Sequence, residues 1–298
     1  MALFEVAAIT DEVSEDLAAA LSYLRAEGIR AVELRSLWGT NIAELSPRQI
    51  EHARCLLREA GMRVVVIASP FLKCHAPGVV VTPVTGDLFG AHSITLEEHW
   101  DVLKRSLAMC VTFEAPILRC FSFWRLPRRE EVMPALRETL HVAVADCRRA
   151  GVTLGLENEP ACTIGTGTEA ATLFAESTGQ DGLTIIWDPG NAAAMGEQPY
   201  PAGYAGLRTA SVPISHVHIK DLAHGPDPTG KSRFVPVTEG TIDYTGQLMA
   251  LAVDGYRGVL SLEPHIHRGP MSMRRCIAGL RGALTAAEQR LMLQRHVP

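Results

Sequence analysis

Residues 152–160 read VTLGLENEP: a run that is apolar apart from Thr153 and then ends abruptly in carboxylates, at Glu157 and Glu159. With Gly151 before it as a helix stop, the run predicts an interior parallel strand. A carboxylate on the last residue of such a strand is costly to desolvate unless an arginine, another cation or a metal meets it. The pattern recurs three times: 183–188 (LTIIWD) ends in Asp188, 214–218 (ISHVH) in His218 with Lys220 and Asp221 beyond, and 259–263 (VLSLE) in Glu263. Four successive strand-like runs thus finish on metal-competent side chains.

Outward from that stretch, strand and helix signals alternate along all 298 residues. Earlier strands are predicted at 5–10, 31–35, 62–68 and 116–121. Helices are predicted at 15–25 with Ser14 as cap, from Ser46-Pro47 to near Gly61, and at 94–113 and 128–150. Later helices follow at 168–177, around 200–210, at 244–253 and from 270 to about 292. The stretch 70–93, rich in Gly, Pro and Thr, is too long for an ordinary connection and is expected to be a lid or substrate loop. Residues 222–240 are expected to be a loop as well.

Eight strands each followed by a helix, with no composition break or Ser/Gly linker, predict one α/β domain over residues 1–298, a (β/α)8 TIM barrel. The rival doubly wound sheet would carry a Gly-rich fingerprint after its first strand, which this chain lacks. In a barrel of this kind the C-terminal strand ends carry the chemistry. Glu157, Asp188, His218 and Glu263 are therefore expected to converge from four neighbouring strands.

Composition narrows the function. A net charge of -5 and a pI near 6.1 give no general basic footprint for nucleic acid. Seven cysteines without a C-x-x-C pair suggest reduced thiols in a cytoplasmic protein. The opening MALFEVAAITDEVSED has acids where a signal peptide carries basic residues, and no window is long and apolar enough for a membrane span, so a soluble protein is expected.

The runs LGLENEP, WDPGNA, HVHIKD, TEGTIDY and LSLEPH, with AITDEVSEDLAAAL and VELRSLWGTNI nearer the start, resemble the xylose isomerase-like TIM barrel family. That family of sugar isomerases and epimerases includes AP endonuclease family 2, hydroxypyruvate isomerase and inosose dehydratase members. The resemblance implies a divalent metal held by Glu157, Asp188, His218 and Glu263. Where tagatose-type epimerases carry a histidine three residues after the metal aspartate, this chain has Asn191, which separates its substrate handling from theirs. His216 is expected to point to the opposite face of its strand, as a hydrogen-bonded wall histidine.

A lone strand-end glutamate is most often a salt-bridged surface residue, but four ligand-type residues in register argue against that reading here. Lys220 keeps two readings, a rim ion pair with Asp221 or a charge over the substrate's developing oxyanion. Arg35, Trp38, Phe71, Lys73, Arg119, Asn191 and His265 lie at or beyond strand ends and are candidate substrate contacts, though several could serve packing alone. Three carboxylates and one imidazole are mostly hard donors, so manganese or magnesium is favoured, with zinc or cobalt as alternatives.

An ion with open positions can hold a carbonyl and its neighbouring hydroxyl and stabilise the enediolate left when the α-proton departs. Glu157 and Glu263 would flank that substrate as base and acid. The expected activity is isomerisation or epimerisation of a small sugar or keto-polyol. A dehydratase or lyase shares the first step, and an endonuclease-type phosphodiesterase would want further ligands on the first four strands and a basic groove. The partner expected is a small carbohydrate, with no nucleic acid and no membrane, and a homo-oligomer is left open.

Overall fold

The computed structural model describes residues 3–79, 92, 95–176, 182–226 and 232–295. Its central strands are β1 (Glu5–Ile9), β2 (Ala31–Leu34), β3 (Arg63–Ile67), β4 (Ile117–Cys120), β5 (Thr153–Glu157), β6 (Leu183–Trp187), β7 (Ile214–Ile219) and β8 (Val259–Leu262). They close in chain order, β8 returning to β1, and every pairing is parallel. The architecture is a TIM barrel, and the strands fall where the apolar runs predict them. Strands covered on both faces must be apolar nearly throughout, which is why these runs are legible without alternation.

The outer ring comprises α1 (Leu17–Ala26), α2 (Pro47–Ala60), α3 (Leu96–Thr112), α4 (Met133–Arg149), α5 (Gly167–Glu176), the short α6 (Pro189–Ala194) and α7 (Tyr204–Thr209), α8 (Tyr244–Val253) and α9 (Pro270–Arg295). Helix α2 starts with a full capping box, Ser46 accepting from the Gln49 backbone N–H and the Gln49 side chain reaching back. Helix α1 is capped by Asp16, whose carboxylate accepts from the Ala19 N–H at 2.8 Å, and not by Ser14. The Ser14 hydroxyl instead accepts the Asp16 N–H one turn earlier.

Two buried regions follow from the barrel. The larger fills the space between strands and helices, with Leu21, Leu24, Leu136, Leu140 and Leu280 among its members. The smaller lies within the ring of strands: Ala7, Ala31, Val65, Val66 and Ile186, with Ile117 and Val259 against them. Gly155 belongs to this tight layer, because a Cβ there would lie 2.8 Å from Ile186 Cγ1 and 3.3 Å from Ile117 Cγ2. The layer closes the lumen beneath the strand ends.

Two expected loops contain more order than their composition suggests. Within 222–240, Ser232–Val235 pairs antiparallel with Asp221–Pro226. Of the stretch 70–93, residues 80–91 and 93 lie outside the described residues, and with them most of the expected lid. Its opening part is tied to the segment after β4: the N–H groups of Phe121, Phe123 and Trp124 donate to the carbonyls of Phe71, Leu72 and Cys74, each at 2.8 Å. Backbone pairing that supplies its own hydrogen bonds is not encoded in Gly and Pro content. Among the described residues no helix is long and apolar enough to cross a membrane.

Candidate metal centre

The ends of β5 to β8 bring the four strand-end residues together. One ligand atom from each of Glu157, Asp188, His218 and Glu263 lies within 4.8 Å of the others, and all four side chains are buried. His218 Nδ1 stands 3.1 Å from Glu157 Oε1, 3.2 Å from Glu263 Oε2 and 3.6 Å from Asp188 Oδ2.

Local structure aims each group. Asp188 is the N-cap of α6, with Pro189 at the first helical position, and its Oδ1 accepts the Asn191 N–H at 2.8 Å. That leaves Oδ2 turned into the cluster. Asn158 ties the ends of β5 and β6 together, its side chain bonding both the N–H and the carbonyl of Asp188 at 2.8 Å. Arg119 grips Glu157 Oε2 at 3.0 Å while its other nitrogens donate to the carbonyls of Ala68 and Ser69. Arg35 holds Glu263 Oε1 at 2.8 Å and also binds Asp11 and Glu12.

Beneath this cluster lies a carboxylate the apolar run AVEL concealed. Glu33 on β2 is fully buried, 3.2 Å from the Nε2 atoms of both His216 and His218. The expectation for His216 is thereby corrected. Side chains alternate along a strand, so residues 216, 218 and 220 share one face, and all three point into the lumen. The rings of His216 and His218 meet edge to face at 5.5 Å.

The electrostatics follow from burial opposed by neighbouring charges. Burial alone would raise the Glu157 and Glu263 carboxyls, but the His218 imidazolium and Arg119 hold Glu157 below its ordinary range. Lys220, His265 and His218 hold Glu263 well below. Burial disfavours the charged His218, yet Glu33, Glu157 and Glu263 outweigh it and push the imidazole well above its usual value. His216 is lowered, because burial outweighs the neighbouring Glu33 carboxylate.

Formal charges show what the site wants. Asp11, Glu12, Glu33, Glu157, Asp188 and Glu263 face the buried cations Arg35, Arg119 and Lys220. Six carboxylates thus face three buried cations and the His218 imidazole, an excess of negative charge that is costly inside a protein. Asp188 Oδ2 is buried and receives no hydrogen bond. The Lys220 ammonium lies 2.8 Å from it, but not in hydrogen-bonding alignment. A buried carboxylate oxygen that receives no hydrogen bond, amid hard donors and an excess of negative charge, fits a divalent cation.

The remaining candidates divide. Lys220 pairs with Asp188 and Glu263, not with Asp221, whose carboxylate instead accepts backbone N–H groups from Leu222, Thr238, Gly240 and Ile242. The Asn191 amide lies 3.2 Å from Glu157 Oε1, inside the cluster. His265, partly exposed, stands 3.3 Å from Glu263 Oε1 at the rim. The Lys73 ammonium sits over the Phe121 ring and 3.8 Å from Glu159.

Phe71 is fully buried against His99 and Trp100 of α3, and Trp38 stacks on His52 of α2 at 5.3 Å. Neither aromatic is brought into the cluster; each fills the space between a strand end and its helix. Glu33 and Asn158 are the residues the sequence reading passed over. A lone carboxylate midway through an apolar strand, two residues before Arg35 and hence on its face, was the available signal for Glu33.

Comparison with known proteins gives the same architecture. The family model described as xylose isomerase-like TIM barrel matches residues 21–294. A Mycobacterium smegmatis xylose isomerase-like TIM barrel protein in complex with magnesium is similar at 19% identity and TM-score 0.67, covering 95% of this chain and 96% of that one. A D-tagatose 3-epimerase-like protein superposes with TM-score 0.71 at 18% identity over 98% of this chain and 100% of its own. The E. coli 3-keto-D-glucoside 4-epimerase does so with TM-score 0.66 at 17% identity, covering 96% and 100%. Similarity at these identities is similarity of fold. Among curated proteins the sequence has no match.

Proposed function

The chain belongs to the xylose isomerase-like TIM barrel family, and from that premise we propose that it is a divalent-metal-dependent isomerase or epimerase of a small sugar or keto-polyol. The observation that carries this reading is the pair Glu157 and Glu263, both held ionised and both against His218 Nδ1, at 3.1 and 3.2 Å. Glu157, Asp188, His218 and Glu263 would hold the ion, with manganese or magnesium favoured by their donor set and zinc or cobalt as alternatives. When bound, the ion polarises a carbonyl and its neighbouring hydroxyl and offsets negative charge gathering on them.

The protein's own groups move the proton. One of the two carboxylates removes the carbon-bound proton next to the carbonyl and, now a carboxylic acid, can return it to the neighbouring carbon; return from the opposite side requires the other carboxylate first to take a proton from water. Arg119 and Arg35 keep Glu157 and Glu263 oriented and ionised. Asn191, Lys73 and His265 offer polar contacts to the hydroxyls of the ligand. Lys220, 2.7 Å from Glu263, places a positive charge where oxygen becomes negative. The same ammonium favours a second reading, a dehydratase or lyase, because it can protonate a departing hydroxyl after the shared first step. The seven unpaired cysteines suit a reducing cytoplasmic setting.

The test is hydrogen exchange at carbon. Incubated in heavy water with metal and a panel of keto-sugars and keto-inositols, the protein should drive deuterium into the position beside the carbonyl. Glu157→Gln and Glu263→Gln, compared at matched metal occupancy, should each slow this by about 10²- to 10⁴-fold, the usual share of a positioned acid or base. A metal-loaded double variant exchanging at the parent rate would remove the two-carboxylate mechanism. A stereoisomer or shifted carbonyl among the products marks the isomerase, and loss of water marks the lyase.

A further inference from the structure

We infer that Lys220 is a built-in counter-ion of the metal site, competing with the divalent cation for Asp188 and Glu263 and leaving those oxygens when the cation binds. The inference rests on the metal reading above.

The competition is written in the free valences of the two carboxylates. Asp188 Oδ1 is committed to the Asn191 N–H, and Glu263 Oε1 to Arg35 and His265. Asp188 Oδ2 and Glu263 Oε2 are what those contacts leave over, and the Lys220 ammonium stands against these two, at 2.8 and 2.7 Å. A cation drawing on the same lone pairs would sit beside a second positive charge with little water to screen it. One must yield.

The seat for this ammonium is built rather than incidental. The strand period that turns His218 inward turns Lys220 inward also. Its stem passes over Gly190, where a Cβ would come within 2.4 Å of Lys220 Cγ, so a residue with any side chain would push the lysine out. The Phe234 ring, 5.8 Å from Nζ and packed beside the rim residue His265, offers the displaced ammonium a face to rest on. Metal loading would thus release a lysine toward the substrate only in protein able to use it. The affinity for metal would also be weaker than the four ligands alone could give.

Titration calorimetry with Mn²⁺ at fixed pH, on chelator-stripped parent and Lys220→Met, tests this without reference to turnover. The variant should bind Mn²⁺ more tightly, by roughly tenfold or more, since no buried ion pair has to be broken first. Equal or weaker affinity in a folded variant overturns the inference while leaving the metal site standing. Absence of Mn²⁺ binding by the parent removes the metal reading itself, and the inference with it. Should the variant fail to fold, reductive methylation of the parent, read by peptide mass spectrometry, gives an independent answer. Lys220 should be modified more extensively with Mn²⁺ than without, relative to the exposed Lys104. Equal extents would overturn the competition.

Discussion

Glu33 carries the least expected role of any single residue. It has no place among the proposed ligands, yet it stands 3.2 Å from His218 Nε2, on the side of the ring away from the three carboxylates. A carboxylate in that position fixes which ring nitrogen bears hydrogen and so presents Nδ1 to the cluster. Glu33→Gln keeps the shape and can still hydrogen-bond, but removes the charge. Its expected effect is a roughly 10- to 100-fold loss of Mn²⁺ affinity, the usual cost of losing such a partner, measured by calorimetry on a variant with parent-like circular dichroism. Unchanged affinity would reduce Glu33 to a packing residue. Its role was hidden in the sequence because AVEL reads as an apolar strand with one interruption; only the register across to β7, which is not adjacent to β2, reveals the partner. The four strand-end residues were legible because each sits at a boundary between an apolar run and a polar one. The inward face of His216 was legible in principle from the spacing of two to His218.

Among the elements, the connection from β5 to α5 shows how a loop is held above the site. Glu169 in the first turn of α5 accepts two hydrogen bonds from Arg125, at 2.9 and 2.6 Å, and a third from the Gly165 N–H at 2.7 Å. Burial would raise this carboxyl, but the Arg125 and Gly165 hydrogen bonds, with the charges of Arg125 and Arg129, hold it below its ordinary range. A depressed folded-state value stabilises the protein above the unfolded carboxyl's pKa of about 4.3, and that contribution is lost as pH falls through the folded value. Glu169→Gln should therefore cost about 1–3 kcal/mol at neutral pH, with the gap to the parent closing as the pH drops below about 4. Denaturant melts of both proteins between pH 3 and 7 would show it. A gap that does not change with pH would mean the loop is held by shape and not by this charge. Arg125 stands with Arg128 and Arg129 in a stretch that carries no local sign of a partner. Its partner is 44 residues away, beyond the reach of any local pattern. The start of α2, by contrast, rests on local chemistry, the Ser46 capping box, and was readable for that reason.

The whole barrel places an apolar floor beneath a charged chamber. Ala7, Ala31, Val65, Val66 and Ile186 close the lumen, and Glu33, His216, His218, Arg35, Arg119, Lys220 and the strand-end carboxylates stack above them. Eight strands could be counted along the chain because apolar-rich runs recur at steady intervals between helix signals. The order of the layers inside the barrel could not, since it depends on register between strands far apart in sequence. The arrangement makes the fold a partner in metal binding. An excess of buried negative charge destabilises the metal-free barrel, whereas a cation that binds only the folded state stabilises it by mass action. At a free Mn²⁺ concentration one hundred times Kd the gain is about 2.7 kcal/mol. For a domain of this size that raises Tm by about 4 °C. Scanning calorimetry of the chelator-stripped protein with and without Mn²⁺ measures the rise directly. Asp188→Ala supplies the control, because it deletes the orphaned Oδ2 together with the cap of α6: its own Tm should start lower, and added Mn²⁺ should shift it little. An equal rise in parent and variant would put the stabilising ion somewhere other than the ends of β5 to β8, and the ligand assignment would fall with it.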